Sequence, residues 1–295
     1  MWGCVRPSKL KTGLAALLIC GAAAAGARAE SASARPPAPM PPARVVSINL
    51  CTDQLALMLA APGQLVSVSK LSHDPDSSSM AEAAQAYPTN GSGAEEAYLL
   101  APDLVLAGTF TAPATVDMLR TLGIRVEQFA PANALADVPA RLRQMGAALG
   151  REAEAEAMIR AFESDLAVLS RTPARRPRAA LYYVNSYTVG DRTLAGDILR
   201  AGGFANVAAE AGLSRGGTLA LEQLILLDPE VIIEGRDYPG QSRAEDVLHH
   251  PALRALTGAR VAGTLTDRDW ICGTPKVLSA VRKMRDLRLS LEAGE

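Results

Sequence analysis

Short apolar runs alternate with stretches of helical spacing along most of the chain. Val45–Leu50 is an apolar run of strand length, Thr52–Ala61 spaces its apolar residues as a helix does, and Leu65–Ser69 is a second run. Leu104–Gly108 and Val126–Ala130 read as further strands, with a helix over Thr115–Leu122 between them. Strand and helix in turn predict a parallel sheet with helices on its faces. Strand character then disappears from Leu135 to about Leu169. Leu142, Met145, Leu149, Ala157, Phe162 and Leu166 recur there at mostly helical spacing. The expectation is one long helix, with Gly150 the place for a bend, stopped by Thr172-Pro173 and Pro177. Alternation resumes over Ala179–Val184, Leu194–Ala201, Leu219–Leu227, Val231–Glu234, Val247–Leu256 and Val261–Leu265, and a terminal helix starts near Lys276.

The two alternating stretches resemble each other. Residues 95–108, Glu-Glu-Ala-Tyr-Leu-Leu-Ala-Pro-Asp-Leu-Val-Leu-Ala-Gly, align without gaps on residues 222–235, Glu-Gln-Leu-Ile-Leu-Leu-Asp-Pro-Glu-Val-Ile-Ile-Glu-Gly. Each is a short helix, a proline followed by an acid, a buried strand and a glycine. Residues 119–126 and 253–261 echo each other further on. The pattern implies an α/β protein of two similar Rossmann-like lobes with parallel sheets, residues 44–134 and 173–295, joined by a single long helix over 135–172.

Composition narrows the class. The chain has 295 residues, 48% of them hydrophobic, enough for two cores. A net charge of −1 and scattered arginines give no reason to expect nucleic acid. The first residues read as an address. Arg6, Lys9 and Lys11 precede a short apolar core, Leu14–Ala25, and Ala27-Arg28-Ala29 is a small-x-small cleavage site. Export with cleavage after Ala29 is expected, leaving residues 30–43 as an Ala/Pro/Ser tether. Ile19 stands where lipid attachment at Cys20 would want a small residue, so a lipoprotein is not expected. Of the four cysteines only Cys51 and Cys272 remain after cleavage. In an oxidising compartment they could form one disulfide, touch a ligand through sulfur, or stay free, and their spacing decides nothing.

Further residues carry a family resemblance: Arg44-Val45-Val46-Ser47, residues 101–106 (Ala-Pro-Asp-Leu-Val-Leu), residues 201–208 (Ala-Gly-Gly-Phe-Ala-Asn-Val-Ala), Leu221-Glu222-Gln223-Leu224 and Pro251-Ala252-Leu253. In this order the chain from Arg44 to Leu291 resembles the periplasmic binding proteins for vitamin B12, ferric siderophores and haem, in which one helix spans two lobes. The resemblance implies capture of a metal chelate and its delivery to the permease and ATPase of an ABC importer. It also implies that one carboxylate per lobe docks on permease arginines. The matching positions are Glu95, with Glu96 beside it, and Glu222. The sequence independently places both at helix starts, where a carboxylate is favoured.

Ligands of such folds lie between the lobes at the carboxyl ends of strands. That rule nominates Asn49, Cys51, Thr52 and Asp53, and the loop Ser72-His73-Asp74, from the first lobe. From the second it nominates Tyr183, Asn185, Tyr187, Arg236, Tyr238 and the pair Asp269-Trp270. Trp270 is the one tryptophan left after cleavage, at a position where the vitamin B12-binding relatives present one to their ligand. As a candidate general base, Asp53 is better explained as a capping-region residue at a helix start. His73 could coordinate a chelated metal or be an ordinary surface histidine. With three histidines in all, a bare metal ion is poorly served, and Arg192, Arg215, Arg236 and Arg268 could serve anionic groups on a chelate. No G-x-S-x-G, no G-x-G-x-x-G after the first strand and no phosphate-loop lysine is present, so neither catalysis nor a cofactor is expected. A sensor feeding a receptor would use the same fold. The expected protein is a monomer that works by small lobe movements.

Overall fold

The computed structural model describes residues 40–235, 246–257 and 261–293. Among these residues the first lobe holds strands β1 (Val45–Ser47), β2 (Leu65–Ser69), β3 (Thr89–Asn90), β4 (Leu104–Gly108) and β5 (Arg125–Phe129). They form one sheet in the order β3-β2-β1-β4-β5, every pair parallel. Helices α1 (Leu50–Leu59), α2 (Ala81–Ala84), α3 (Ala94–Leu99) and α4 (Pro113–Thr121) connect them. The chain order reverses between β1 and β4, and a reversal of this kind opens a crevice at the carboxyl ends of the strands.

The 135–172 segment departs from the expected single helix. It forms α5 (Val138–Leu149) and α6 (Glu152–Leu169), separated by Gly150 in the left-handed conformation at φ 70°. Glycine adopts that conformation without steric cost, so it ends α5 and lets the chain turn. Arg143 pairs with Glu156 at 2.6 Å and Gly146 abuts Ala155, so α6 folds back on α5. The α5 segment packs with the first lobe, on α1 and β5, and α6 carries the chain on to the second, where it packs on α12.

In the second lobe, β6 (Arg178–Tyr183) is followed by β7 (Tyr187–Thr188), α7 (Leu194–Ala201), β8 (Ala205–Asn206), α8 (Val207–Glu210), β9 (Gly217–Thr218), α9 (Leu221–Leu227), β10 (Val231–Glu234), α10 (Pro251–Thr257), β11 (Val261–Thr264), α11 (Asp267–Trp270) and α12 (Val277–Ala293). The sheet runs β11-β10-β6-β7-β9, with β8 also on β6. Its β11-β10-β6 part is parallel, but β7 and β9 add an antiparallel edge. The glycine-rich stretch at Gly216 and Gly217 thus leads into an edge strand.

Both sheets are covered on both faces, which is why their central strands are largely apolar. Alternate residues point to opposite sides. Val45, Leu104 and Leu106 join Ala179, Leu181, Val231 and Ile233 in one core that runs from lobe to lobe through α5, α6 and α12. Val46, Val105 and Ala107 build a separate core under α3 and α4, and Ala180, Tyr182 and Ile232 do so under α9 and α10. No described helix is long and apolar enough to cross a membrane.

Candidate functional site

The resemblance between residues 95–108 and 222–235 has a structural cause. Ala101 and Asp228 occupy matching positions, each before proline, and both are left-handed, at φ 46° and 43°. The acid after each proline then binds the chain at the start of its lobe. Asp103 accepts from the amides of Ala43 (2.8 Å) and Arg44 (2.7 Å), and Glu230 accepts from the amide of Arg178 (3.0 Å). Arg44 and Arg178 return the contact by donating to Leu100 O and Asp228 O at the ends of α3 and α9. The strand ends of each lobe are held in register by the same device.

Two cavities open at the opposite, carboxyl ends of the strands. The larger, about 430 Å³, lies on the second lobe beyond β6, β10 and β11 and is walled by Tyr183, Asn185, Tyr187, Thr218, Leu248, Leu265, Thr266, Asp267 and Trp270. Trp270 packs on Tyr183 with ring centres 6.4 Å apart, planes tilted by 41°. Its indole N–H is buried without a partner. Burial, and then the charges of Asp267 and Asp269, push the Tyr183 phenol well above its usual range, so it stays a protonated donor, 3.5 Å from Leu265 O. Asn185 and Ser186 are left-handed at φ 58° and 57°, a tight reversal that brings Tyr187 back to the cavity wall. Asp269 does not face the cavity. Its carboxylate closes a capping box on Thr266 and pairs with Lys283 Nζ at 2.7 Å.

The smaller cavity, about 170 Å³, lies on the first lobe beyond β1, β4 and β5. Asn49, Cys51, Thr52, Thr109, Phe110, Phe129, Pro131, Ala132, Arg141 and Gly273 line it. Asn49 caps α1, its Oδ1 accepting from the amides of Cys51 (3.0 Å) and Thr52 (3.4 Å). Cys51 and Cys272 are joined as a disulfide, S–S 2.09 Å and Cα–Cα 5.0 Å, which ties the start of α1 to the chain just after α11. A bonded pair offers no thiolate to a metal. Cys51 of the disulfide lines the smaller cavity, while Trp270, two residues before Cys272, lines the larger, and the lobes touch beside the bridge, where a Cβ on Gly273 would meet Ala132 Cβ at 2.2 Å.

The structure thus brings Asn49, Cys51 and Thr52 to one cavity and Tyr183, Asn185, Tyr187 and Trp270 to the other. Two expected residues lie elsewhere. Asp53 is fully buried, accepting from Ser69 N (3.2 Å), Ser69 Oγ and Ser72 Oγ (2.7 Å). It braces the turn after β2 and lines neither cavity; Asn49, not Asp53, caps α1. His73 Nε2 lies 2.9 Å from Ala84 O and 3.1 Å from Tyr87 O, so it is committed to backbone and lines neither cavity. Arg236 and Tyr238 lie outside the described residues. Thr109, Phe110 and Arg141 were not anticipated. The switch between β1 and β4 would have named the loop after β4 rather than the one after β2, had the strand order been known. No group of three or more metal-ligating side chains occurs among the described residues.

Glu95 and Glu222 are both exposed, at the first turns of α3 and α9. Glu96 is engaged, accepting from the amide of Gly91, which leaves Glu95 as the uncommitted acid of that turn.

Comparison with known proteins matches residues 45–261 to the periplasmic binding protein family. A cobalamin-binding protein of Halobacterium salinarum is 29% identical over 200 residues, 66% of this chain. The chain spans 54% of that relative's length. Among solved structures, the periplasmic heme-binding protein RhuT from Roseiflexus sp. RS-1 superposes with a TM-score of 0.69 at 22% identity, covering 83% of this chain and 98% of that one. The periplasmic vitamin B12-binding protein BtuF of Vibrio cholerae superposes at 0.63 and 19% identity, covering 86% and 100%. Identities this low speak for the fold alone. The family match, in contrast, takes in both sheets and the helix between them, and the chain belongs to the periplasmic binding protein family.

Proposed function

We propose that this protein is exported, captures a metal chelate between its lobes and delivers it to an ABC importer. The observation that carries the reading is the cavity of about 430 Å³ walled by Trp270 and Tyr183 at the carboxyl ends of β6, β10 and β11. Its volume falls in the range of small-molecule sites, and its two aromatic rings, in tilted contact, offer a stiff apolar wall to a macrocycle. The proteins it is similar to bind cobalamin, vitamin B12 and heme, which supplies the class of cargo. Export and removal of residues 1–29 place the protein in the periplasm and the disulfide where it persists.

Docking on the permease uses Glu95 and Glu222. Each lies beside a bare apolar residue at matching positions of the two lobes, Leu99 at 81% exposure and Leu226 at 85%. A pair of acid-and-leucine patches related by the internal duplication suits a partner built as a dimer, with a basic contact in each half.

The test uses the mature chain, in which Trp270 is the single tryptophan. Titration with cyanocobalamin, haemin, a ferric hydroxamate and a ferric catecholate should give saturable quenching by one of the four. Calorimetry that detects no binding of any would sink the reading. In cells, Glu95→Lys with Glu222→Lys should abolish uptake while the purified variant binds cargo as before. Uptake that survives the double reversal removes the docking assignment.

A further inference from the structure

We infer that the smaller cavity on the first lobe is an anion-binding subsite, with Arg141 as its recognition residue, taking a carboxylate or phosphate arm of the cargo. The inference rests on the capture function proposed above and adds the chemical class of the molecule captured.

Charge bookkeeping around α5 and α6 sets Arg141 apart. Arg143, two residues along α5, pairs with Glu156; Arg151 pairs with Glu154; Arg178 with Glu210; Arg200 with Asp197; Arg288 with Glu292. Arg141 has no carboxylate within ion-pair distance among the described residues. One of its terminal nitrogens donates to Gln144 Oε1 at 3.5 Å, at the limit of a hydrogen bond, and its Nε is buried with no acceptor. The nearest acid in that chain of contacts is Glu127, reached only through Gln144 Nε2 at 2.8 Å. Yet Arg141 is partly buried, in a wall it shares with Leu55, Phe129 and Pro131. A guanidinium drawn out of water against apolar neighbours needs charged acceptors, and the described residues supply none.

The rest of the wall is suited to an anion. Asn49 spends its Oδ1 on the start of α1, which turns its amide nitrogen the other way, toward Gly108 at the end of β4. That nitrogen and the guanidinium are donors lining one cavity, and among the described residues no acidic side chain lines it. The planar fork of arginine fits two oxygens of a carboxylate or phosphate at once. About 170 Å³ admits such a group on a short arm and is too small for a macrocycle. The larger cavity begins across the disulfide, two residues from Cys272 at Trp270. A cargo with a flat body against Trp270 and an acidic arm reaching past Cys51 would occupy both. The arginines nominated from the sequence are less well placed: Arg192, Arg215 and Arg268 are exposed and line neither cavity.

Two probes separate the anion site from the cargo. In the first, the Arg Nε–H resonances of mature protein are followed by NMR during titration with inorganic phosphate and with acetate, Arg141→Gln providing the assignment. The Arg141 signal should move saturably, and a signal unmoved by both anions overturns the inference. In the second, Trp270 quenching compares haemin with its dimethyl ester, and cobyrinic acid with its heptamethyl ester. The wild type should prefer the acid of the pair it binds by at least about tenfold, the worth of one hydrogen-bonded charge. Arg141→Gln should erase the preference and leave ester affinity within about twofold, with Arg141→Lys keeping part of it. Equal losses for acid and ester, or no preference in the wild type, would make Arg141 structural and overturn the inference while the capture function stands. If no macrocycle binds but acetate or phosphate still moves the Arg141 signal, the anion site stands and the chelate reading fails.

Discussion

At the scale of single residues, two aspartates show how burial decides the sign of an effect. Desolvation raises the Asp53 carboxyl against the hydrogen bonds from Ser47, Ser69 and Ser72 that would lower it. Slight desolvation raises Asp103 too, but there the amides of Ala43 and Arg44 win and hold it below the usual range. An acid with a raised folded pKa contributes stability below the ordinary carboxylate range, and that contribution is lost as pH rises through the folded value. An acid with a lowered pKa contributes above that range, and its contribution is lost on acidification. Asp53→Asn should therefore gain on the wild type as pH rises from the carboxylate range to neutral. Asp103→Asn should fall behind over the same rise, by about 1 kcal/mol at neutral pH for an exposed charge-assisted contact. Urea midpoints of the three proteins at acid and neutral pH check both, and parallel pH profiles would contradict them. Both aspartates look alike in sequence, each near an element start. Which one reaches back to the amides of Ala43 and Arg44, and which one crosses to Ser69 and Ser72, depends on packing that no local pattern encodes. The same holds for His73, whose acceptors Ala84 O and Tyr87 O lie 11 and 14 residues ahead.

At the scale of elements, the strands were the most legible part of the chain. Leu65–Ser69, Leu104–Gly108 and Val231–Glu234 coincide with the runs read from the sequence, because strands buried on both faces stay largely apolar, buried Ser67 being an exception. The two-residue strands at Thr89–Asn90, Tyr187–Thr188 and Gly217–Thr218 carry no such run and were invisible. The expected single helix failed for a different reason. Helical spacing continues through residues 138–169, and periodicity cannot tell a bend from a reversal at Gly150. Gly146 held the missing information. A Cβ there would lie 2.6 Å from Ala155 Cβ, so glycine is what lets α5 and α6 cross so closely. The usual gain of about 1 kcal/mol for Gly→Ala inside a helix should be overturned here. Gly146→Ala should instead destabilise by about 1–3 kcal/mol through overpacking. A thermal unfolding temperature at or above that of the wild type would show that α6 can move away without loss.

At the scale of the molecule, the question is how far the lobes can move. They are linked by more than α6: the disulfide bridges Cys51 and Cys272, Asp197 Oδ2 accepts from the amide of Leu135 at 2.8 Å, and Gly273 lies against Ala132. A bridge closing a loop this long restricts the unfolded chain strongly, and replacing both cysteines with serine should lower stability by about 2–4 kcal/mol. The close contact beside it tests whether the spacing of the lobes is itself fixed. A methyl group added at Gly273 would fall 2.2 Å from Ala132 Cβ, a separation no pair of carbons tolerates, so Gly273→Ala must push the lobes apart or distort the bridge. Ala132→Gly removes the obstructing atom. If the bridge and α6 hold the lobes at one spacing, Gly273→Ala should be destabilising alone and largely tolerated when combined with Ala132→Gly. Backbone effects of each change cancel in the cycle, leaving a coupling of at least about 1 kcal/mol between two residues on opposite lobes. The same rescue should appear in cargo affinity, since both residues border the cavity that holds Arg141. Strictly additive effects on stability would mean that the lobes part freely at this contact, and that the site is set by each lobe alone.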